Sequence, residues 1–134
     1  MQAINIDDLR AAARRRLPRA IFEFIDGGAQ DESTLRANRE DFQKWRFRTR
    51  TLTDVSTRDQ SITLFGQRYA SPLILAPTGL AGLLSRRGEL AAARAAEKYG
   101  VPYCLSTMST CTIEEITRET APPKWFQLYS IARP

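Results

Sequence analysis

The part of the chain that follows Pro72 alternates strand-like and helix-like segments, and this alternation limits the possible folds more than any other feature. Three short apolar runs have the composition of buried strands, at residues 73–76, 101–105 and 125–128. Two helix-like segments separate them: residues 88–99, with small side chains on one face, and a segment opened by the capping-box pattern of residues 112–115. A β-α-β-α-β order predicts parallel strands joined by right-handed helical crossovers.

Two architectures are compatible with this order. A doubly wound sheet that binds a dinucleotide carries a G-x-G-x-x-G turn after its first strand, whereas this strand ends in Pro77-Thr78-Gly79. A (β/α)8 barrel fits better, but it needs about 250 residues. Three strands in 134 residues would leave the third with an exposed hydrophobic edge. We therefore predict an α/β chain, the N-terminal part of a (β/α)8 TIM barrel, which is either truncated or completed by another chain.

Short helices precede the barrel segment. Asn5 is suited to cap a first helix, and Pro18 suits the first turn of a second one. Gly27 and Gly28 predict that the second helix ends in a left-handed turn, after which a third helix follows.

A small hairpin is predicted over residues 61–69, with its turn near Gly66. We accordingly divide the chain into an N-terminal helical segment, residues 1–60, and the first β/α units of a barrel, residues 61–134.

The ionisable residues exclude some classes of function. The net charge is +5, with basic clusters at residues 14–16 and 46–50, and the chain contains no histidine. Both clusters are interpreted as solvated faces, and an anionic partner such as a membrane surface or an acidic substrate is the less favoured alternative. No aromatic residues interleave with the first cluster, and no nucleic-acid partner is expected. Because the chain has no histidine, it lacks the commonest general acid and base at neutral pH.

The cysteines and the N-terminus favour a cytoplasmic protein. Cys104 and Cys111 fit no metal-ligand pattern, so we predict free thiols and no metal site. The first nine residues lack the apolar region of a signal peptide, and no segment is long and apolar enough to span a membrane. Attachment to the inner membrane through a segment outside this chain is left open.

Polar and small side chains lie where each predicted strand ends. The first strand ends in Pro77-Thr78-Gly79, the second in Ser106 and Thr107, and the third in Gln127 and Tyr129. Active sites of (β/α)8 enzymes lie at this end of the strands. A cap or a satisfied core hydroxyl explains Ser106 or Thr107 taken alone, but a buried amide at Gln127 must find partners. Together these groups suit the polar edge of a flat heteroaromatic cofactor.

Several motifs resemble those of the FMN-dependent 2-hydroxy-acid dehydrogenase and oxidase family, which includes glycolate oxidase, L-lactate dehydrogenase and mandelate dehydrogenase. The most specific is Trp-Phe-Gln-Leu-Tyr, residues 125–129, and the resemblance covers essentially the whole chain. The other matching runs are Ile-Asp-Gly-Gly-Ala at 25–29, Ala-Pro-Thr-Gly at 76–79 and Leu-Ser-Thr at 105–107.

This resemblance implies FMN as the cofactor and an L-2-hydroxy acid, similar to lactate or mandelate, as the substrate. The backbone of Pro77, Thr78 and Gly79 would pack along the flavin, and Ser106 and Gln127 would hydrogen-bond its edge. Tyr129 would point its hydroxyl at the substrate as a catalytic and substrate-binding group. Electrons would pass from the substrate to FMN and then to a quinone, a carrier protein or oxygen, and the complete protein would be a homo-oligomer.

Two departures from the family pattern affect the expected activity. Phe24 stands where the family has a tyrosine that helps to hold the substrate carboxylate, so we expect weaker binding and a preference for bulkier, more apolar hydroxy acids. The family's catalytic histidine and carboxylate-binding arginines lie further along its chains, so we expect these 134 residues alone to be inactive. Glycine at position 79 resembles the dehydrogenase branch, since many oxidases have alanine there.

Two alternatives to the enzymatic interpretation remain open. A non-catalytic half-barrel could associate with a partner chain through its open strand edge. A small basic module using the two arginine clusters is the less favoured of the two.

Overall fold

A computed structural model describes residues 3–121 and 124–130 of the chain. The chain divides into two compact units, Met1–Val55 and Ser56–Pro134. The sequence-based division into residues 1–60 and 61–134 stays a prediction about the domains of the protein.

The first unit contains three helices. These are α1 (Ile6–Arg16), α2 (Arg19–Asp26) and α3 (Ser33–Glu40), and a 3-10 turn, Asp41–Lys44, follows the last of them. The predicted cap of α1 is confirmed, because the Asn5 side chain accepts a hydrogen bond of 2.8 Å from the backbone N–H of Asp8. Pro18 occupies the cap position of α2, where its missing N–H costs nothing.

The predicted left-handed end of α2 is wrong. Gly27 does not adopt a left-handed conformation. Its φ of −81° is extended, and its N–H still donates to the Glu23 carbonyl. The chain turns a few residues later instead, where Gln30 and Glu32 adopt φ values of 51° and 58°. A hydrogen bond of 3.0 Å from the Glu32 N–H to the Ala29 carbonyl closes this turn, so the reversal does not need a left-handed glycine.

Ion pairs, rather than buried apolar side chains, connect the elements of the first unit. The Arg10 guanidinium donates to both carboxylate oxygens of Asp26, at 2.5 and 2.7 Å, and so joins α1 to α2. This bidentate pair lowers the pKa of Asp26 and raises that of Arg10. Arg39 on α3 donates to Asp7 at 2.8 Å.

The second unit begins with the predicted hairpin. Strands β1 (Ile62–Leu64) and β2 (Gln67–Tyr69) pair in antiparallel fashion, with Ile62 opposite Tyr69. The two loop residues, Phe65 and Gly66, both have positive φ, the geometry that matches the twist of a two-residue hairpin. The Phe65 and Tyr69 rings meet the Trp125 ring edge-to-face, at centroid distances of 5.6 and 6.4 Å.

Three parallel segments follow, in the predicted order. Strand β3 (Cys104–Leu105) pairs with β4 (Trp125–Phe126), and Leu75 forms a single parallel bridge with Tyr103 on the other side of β3. The strands are shorter than predicted, and the first is reduced to that one bridge. The apolar run at residues 73–76 was predicted to be buried on both faces, yet Leu73 is 67 % exposed. That expectation of burial is therefore wrong within the described residues, where Ile74 is also 43 % exposed and Leu75 is 37 % exposed.

Two helices cover the sheet and build its core. Helix α4 (Gly88–Tyr99) covers the predicted residues and ends at Gly100, whose φ of 64° is a left-handed cap. Helix α5 (Ile113–Glu119) opens with a complete capping box: Thr112 and Glu115 each accept the other's backbone N–H. A small buried cluster lies between these helices and β3, made of Leu90, Ala93, Ala96, Tyr103, Leu105, Cys111 and Ile116.

Both cysteines are free thiols. No helix within residues 3–121 and 124–130 combines the length and the apolar composition that a membrane crossing requires.

Candidate functional site at the strand ends

Parallel pairing brings the ends of β3 and β4 together. Leu105 lies opposite Phe126, and the Gln127 N–H continues the ladder by donating to the Leu105 carbonyl at 2.9 Å. Ser106 and Gln127 are therefore neighbours at the carboxyl end of the sheet, because parallel strands present the same end on the same side. We call this edge, with residues 77–79, 106–108 and 127–129, the rim.

Ser106 is the most buried polar group of the rim, with 3 % of its surface exposed. Its hydroxyl donates to the Gln127 side-chain oxygen at 3.2 Å and accepts the backbone N–H of Met108 at 3.1 Å. The Gln127 amide nitrogen makes no hydrogen bond within the described ranges, so it remains a donor that can serve a ligand. The two side chains predicted to act together are thus in direct contact.

Thr107 contributes a second connection between the strands. Its hydroxyl donates to the Gln127 carbonyl and accepts the backbone N–H of Tyr129 at 3.2 Å. Taken alone, Thr107 was expected to be a cap or a satisfied hydroxyl, and its hydroxyl is satisfied, but its bond to the neighbouring strand was not predicted. A second hydroxyl directly after a buried strand-end serine was the available signal, since such a side chain can bond the neighbouring strand.

The first strand delivers its glycine to the same place. A Cβ atom on Gly79 would lie 3.0 Å from Met108 Cβ and 3.7 Å from the Ser106 hydroxyl oxygen. The Leu80 N–H donates to the Met108 carbonyl at 2.8 Å, which holds residues 77–79 beside the loop after β3. Pro77 is half-buried and Thr78 is exposed, with a long hydroxyl contact of 3.4 Å to the Ala76 carbonyl.

The two predicted substrate-binding residues lie in different units. Tyr129 belongs to the rim, is half exposed, and makes no side-chain hydrogen bond to the other described residues. Phe24 lies on α2 of the first unit and is 69 % exposed. Tyr129 therefore lies at the rim with Gly79, Ser106 and Gln127, all in the second unit. Phe24 belongs to the first unit.

Behind the rim lies a buried carboxylate that the sequence analysis missed. Glu89, in the first turn of α4, accepts the backbone N–H and the hydroxyl of Thr110 at 2.8 and 2.9 Å. Burial alone raises the pKa of Glu89, but these bonds and the Cys111 thiol outweigh it, so the net shift is downward. Glu89 precedes the buried Ala93 and Ala96 by four and seven positions, which is the helical spacing of one face. That spacing was a usable signal of its burial.

Burial and the Glu89 charge also affect a nearby phenol. The Tyr103 side chain is buried, and this burial, followed by the negative charge of Glu89, raises the pKa of Tyr103 to about 12. Tyr103 therefore stays neutral at any physiological pH and acts as a core residue.

The rim suits the polar edge of a planar heterocycle. Within the described ranges it provides an amide donor without a partner at Gln127, a buried hydroxyl at Ser106 and, at Gly79, a backbone without a side chain that packs closely against Met108. Backbone close to a flat ring requires such a glycine. The described residues contain no cluster of side chains that could hold a metal ion.

The sequence comparisons agree with a rim that suits the edge of a planar heterocycle. The family model of the FMN-dependent dehydrogenases matches residues 13–133, so the chain belongs to this FMN-dependent oxidoreductase family.

Individual relatives point to two branches of that family. The chain is 55 % identical over 122 residues to an L-lactate dehydrogenase from Caulobacter vibrioides, a match that covers 91 % of this chain and 32 % of the relative. It is 44 % identical over 129 residues to (S)-mandelate dehydrogenase from Pseudomonas putida, covering 96 % of this chain and 33 % of the relative.

A solved structure matches almost the whole chain. The structure of (S)-mandelate dehydrogenase described as a monotopic membrane protein aligns with a TM-score of 0.92 at 43 % identity, over 99 % of this chain and 36 % of that one. The chain spans about a third of the length of the curated relatives it matches.

Proposed function

We propose that this chain forms the flavin-edge part of an enzyme that oxidises an L-2-hydroxy acid to the 2-oxo acid with FMN. The observation that carries the proposal is the contact between the Ser106 hydroxyl and the Gln127 amide, beside Gly79. These three residues occupy the strand ends, and the chain belongs to an FMN-dependent family. FMN, when bound, accepts the two electrons that the substrate α-carbon gives up.

The residues of the rim divide the work of holding the flavin. The Gln127 amide nitrogen donates to an acceptor on the flavin edge, while Ser106 fixes the orientation of that amide by donating to its oxygen. The backbone of residues 77–79 would lie along the ring, where a glycine at position 79 would permit close approach. Tyr129 directs its hydroxyl to the substrate.

We expect the group that abstracts the substrate proton to lie outside these 134 residues. The chain has no histidine, and no rim carboxylate is available, since Glu89 is buried behind the rim and committed to Thr110. We therefore expect the chain by itself to bind FMN without turning over a hydroxy acid.

The substrate preference follows from Phe24. A phenylalanine presents an apolar edge where a tyrosine would donate a hydrogen bond to the substrate carboxylate. Loss of a bond to a charged group costs about 1.5–3 kcal/mol, which lowers affinity for small hydroxy acids such as lactate. Bulkier, more apolar hydroxy acids such as mandelate regain part of this by contact with the ring.

Similarity to L-lactate and (S)-mandelate dehydrogenases supports a dehydrogenase that passes electrons to a quinone or a carrier protein, whereas similarity to mandelate oxidase, at 40 % identity, keeps oxygen as the alternative acceptor. (S)-mandelate dehydrogenase, described as a monotopic membrane protein, is 43 % identical to this chain. A membrane-associated enzyme has direct access to a quinone. We place the complete protein in the cytoplasm or at the inner face of the membrane, as a homo-oligomer.

A chimera tests the activity. This chain is joined to the part of Pseudomonas putida (S)-mandelate dehydrogenase that lies beyond its match, and the product is assayed with lactate and mandelate. We expect FMN to copurify and mandelate to be oxidised. Phe24→Tyr should lower the KM for lactate more than the KM for mandelate. If Phe24→Tyr left the KM for lactate and the KM for mandelate unchanged, the role of Phe24 would be contradicted.

FMN titration tests the rim directly. In the chimera, Gln127→Ala should raise the FMN dissociation constant by about 2–10-fold, the effect of one neutral hydrogen bond. Gln67→Ala is the matched control, because Gln67 is an exposed amide on the β2 strand of the hairpin. The proposal fails if both variants bind FMN alike or if the chimera binds none.

Association with a partner chain is the second candidate, and one observation favours it. Leu128, beyond β4, is 77 % exposed, and the outer side of β4 has no paired strand among the described residues. An open edge with apolar side chains is a surface that another strand can cover. Sedimentation of this chain alone and with the separate C-terminal part of the relative distinguishes the cases: complex formation without FMN binding would favour the non-catalytic half-barrel.

A further inference from the structure

Glu89 is a buried ionisable group that the proposed reaction does not use. It is 1 % exposed, and it lies on the same face of α4 as the buried Ala93 and Ala96. A carboxylate in such a place is costly unless several donors satisfy it. Its partners therefore indicate what it does.

All of these partners belong to one loop, residues 106–111, between β3 and α5. The Thr110 N–H donates to one carboxylate oxygen at 2.8 Å, and the Thr110 hydroxyl lies 2.9 Å from both oxygens. The Cys111 thiol lies 3.7 Å from the second oxygen. No lysine or arginine within the described ranges pairs with Glu89, so its charge is balanced by these donors and by the helix N-terminus.

The same loop supplies residues 106–108 of the rim. Met108 donates its N–H to the Ser106 hydroxyl at 3.1 Å, and its carbonyl accepts the Leu80 N–H at 2.8 Å. The Ser109 N–H donates to the Ser106 carbonyl at 3.1 Å. Thr110, which Glu89 holds, is two residues from Met108, whose N–H bonds the Ser106 hydroxyl.

We propose that Glu89 is a positioning residue that fixes loop 106–111 and thereby sets the Ser106 hydroxyl against the Gln127 amide. This role rests on the proposed function only for its consequence at the flavin; the restraint on the loop is a property of the chain itself. Glu89 touches neither Ser106 nor Gln127 and acts through the loop.

Amide hydrogen exchange in the 134-residue chain tests the restraint without FMN. In Glu89→Gln, the Met108 and Leu80 amides should exchange about tenfold faster or more, because the loop loses a charge-assisted restraint. The Val101 amide, bonded to Ala96 near the other end of α4 at 3.0 Å, should change by less than about twofold. A purely structural role would accelerate all three amides together, and that result would overturn the proposal.

Two further comparisons separate the charge from the fold. Glu97→Gln is the matched control, since Glu97 is an exposed carboxylate on α4 that accepts the Ala121 N–H at 3.0 Å. It should leave Met108 and Leu80 unchanged. If Glu89→Gln does not fold, Thr110→Val takes its place: removal of the hydroxyl should accelerate the same two amides, whereas Thr110→Ser should not.

The flavin consequence is measured in the chimera by FMN titration. Glu89→Gln should raise the FMN dissociation constant by about 3–10-fold and alter the visible absorption spectrum of the bound flavin, with Glu97→Gln unchanged. An exchange effect confined to the rim, in a chimera that binds no FMN, would refute the proposed function and leave the loop restraint standing. Normal FMN binding and normal exchange in Glu89→Gln would refute the positioning role alone.

Discussion

Gly82 lies against Thr110 so closely that a single methyl group there must disturb the loop behind the rim. A Cβ atom on Gly82 would come within 2.2 Å of the Thr110 hydroxyl oxygen and 3.0 Å of its Cβ. The hydroxyl cannot turn away freely, because it donates to the buried carboxylate of Glu89. Gly82→Ala must therefore either break that bond or move the backbone of the turn Ala81–Leu83.

The magnitude follows from the cheaper of these two routes. Loss of a hydrogen bond to a charged group costs about 1.5–3 kcal/mol. Replacement of glycine by alanine restores about 0.4–1 kcal/mol by restricting the unfolded chain. The net destabilisation is about 1–2 kcal/mol, which corresponds to a fall in Tm of about 4–16 °C for a unit of this size.

A double-mutant cycle with Thr110→Ala isolates the clash. Without the Thr110 hydroxyl and methyl groups, the closest remaining contact is the one at 3.0 Å, so Gly82→Ala should cost about 1 kcal/mol less in that background. Thermal unfolding followed by far-ultraviolet circular dichroism supplies all four values. The same Tm change for Gly82→Ala in both backgrounds would refute the steric reasoning.

Three further predictions concern caps, pH and thiols. Thr112→Ala removes half of the capping box of α5 and should destabilise the second unit by about 1 kcal/mol in urea unfolding, whereas Thr117→Ala, on the exposed side of the same helix, should have a smaller effect. Because the pKa of Glu89 is lowered on folding, its ionised form stabilises the folded chain above the ordinary carboxyl pKa of about 4.3, and this stability is lost as the pH falls through the lower folded value. In Glu89→Gln, the urea concentration at the unfolding midpoint should therefore depend less on pH across that acid range. Burial raises the pKa of both thiols, and the Glu89 charge adds to the effect at Cys111, so iodoacetamide at pH 8 should modify them more slowly in the folded chain than in urea.

Local signals in the sequence were sufficient for the helices of the second unit. The capping box at Thr112 acts within one turn of chain and opens α5 where it was predicted, and α4 spans the predicted residues 88–99. The second helix of the first unit shows the limit of such signals. Gly27 has the right residue type for a left-handed end, but the turn that Gln30 and Glu32 form further on makes that conformation unnecessary.

The strands were harder to predict, since their length depends on neighbours rather than on their own residues. The run at residues 73–76 has the composition of a strand covered on both faces, and composition cannot report whether a covering layer is present. In the structure a single bridge at Leu75 remains. Glu89 was missed for a related reason: its partners lie 21 and 22 residues away, in a loop whose position is decided by tertiary contacts.

The rim was predictable because its bonds join only adjacent strands. Ser106 and Gln127 meet as soon as β3 and β4 pair, since one residue beyond a parallel pair lies beside its counterpart on the neighbouring strand. The Thr107 hydroxyl adds a second bond between the same two segments. None of these contacts requires a further strand, so the geometry of this part of the rim is set by two strands of two residues each and by the loop between β3 and α5. If the rim holds the flavin edge as proposed, flavin binding and proton abstraction belong to different parts of the complete protein, and we expect FMN affinity and turnover to respond independently to substitutions in each part.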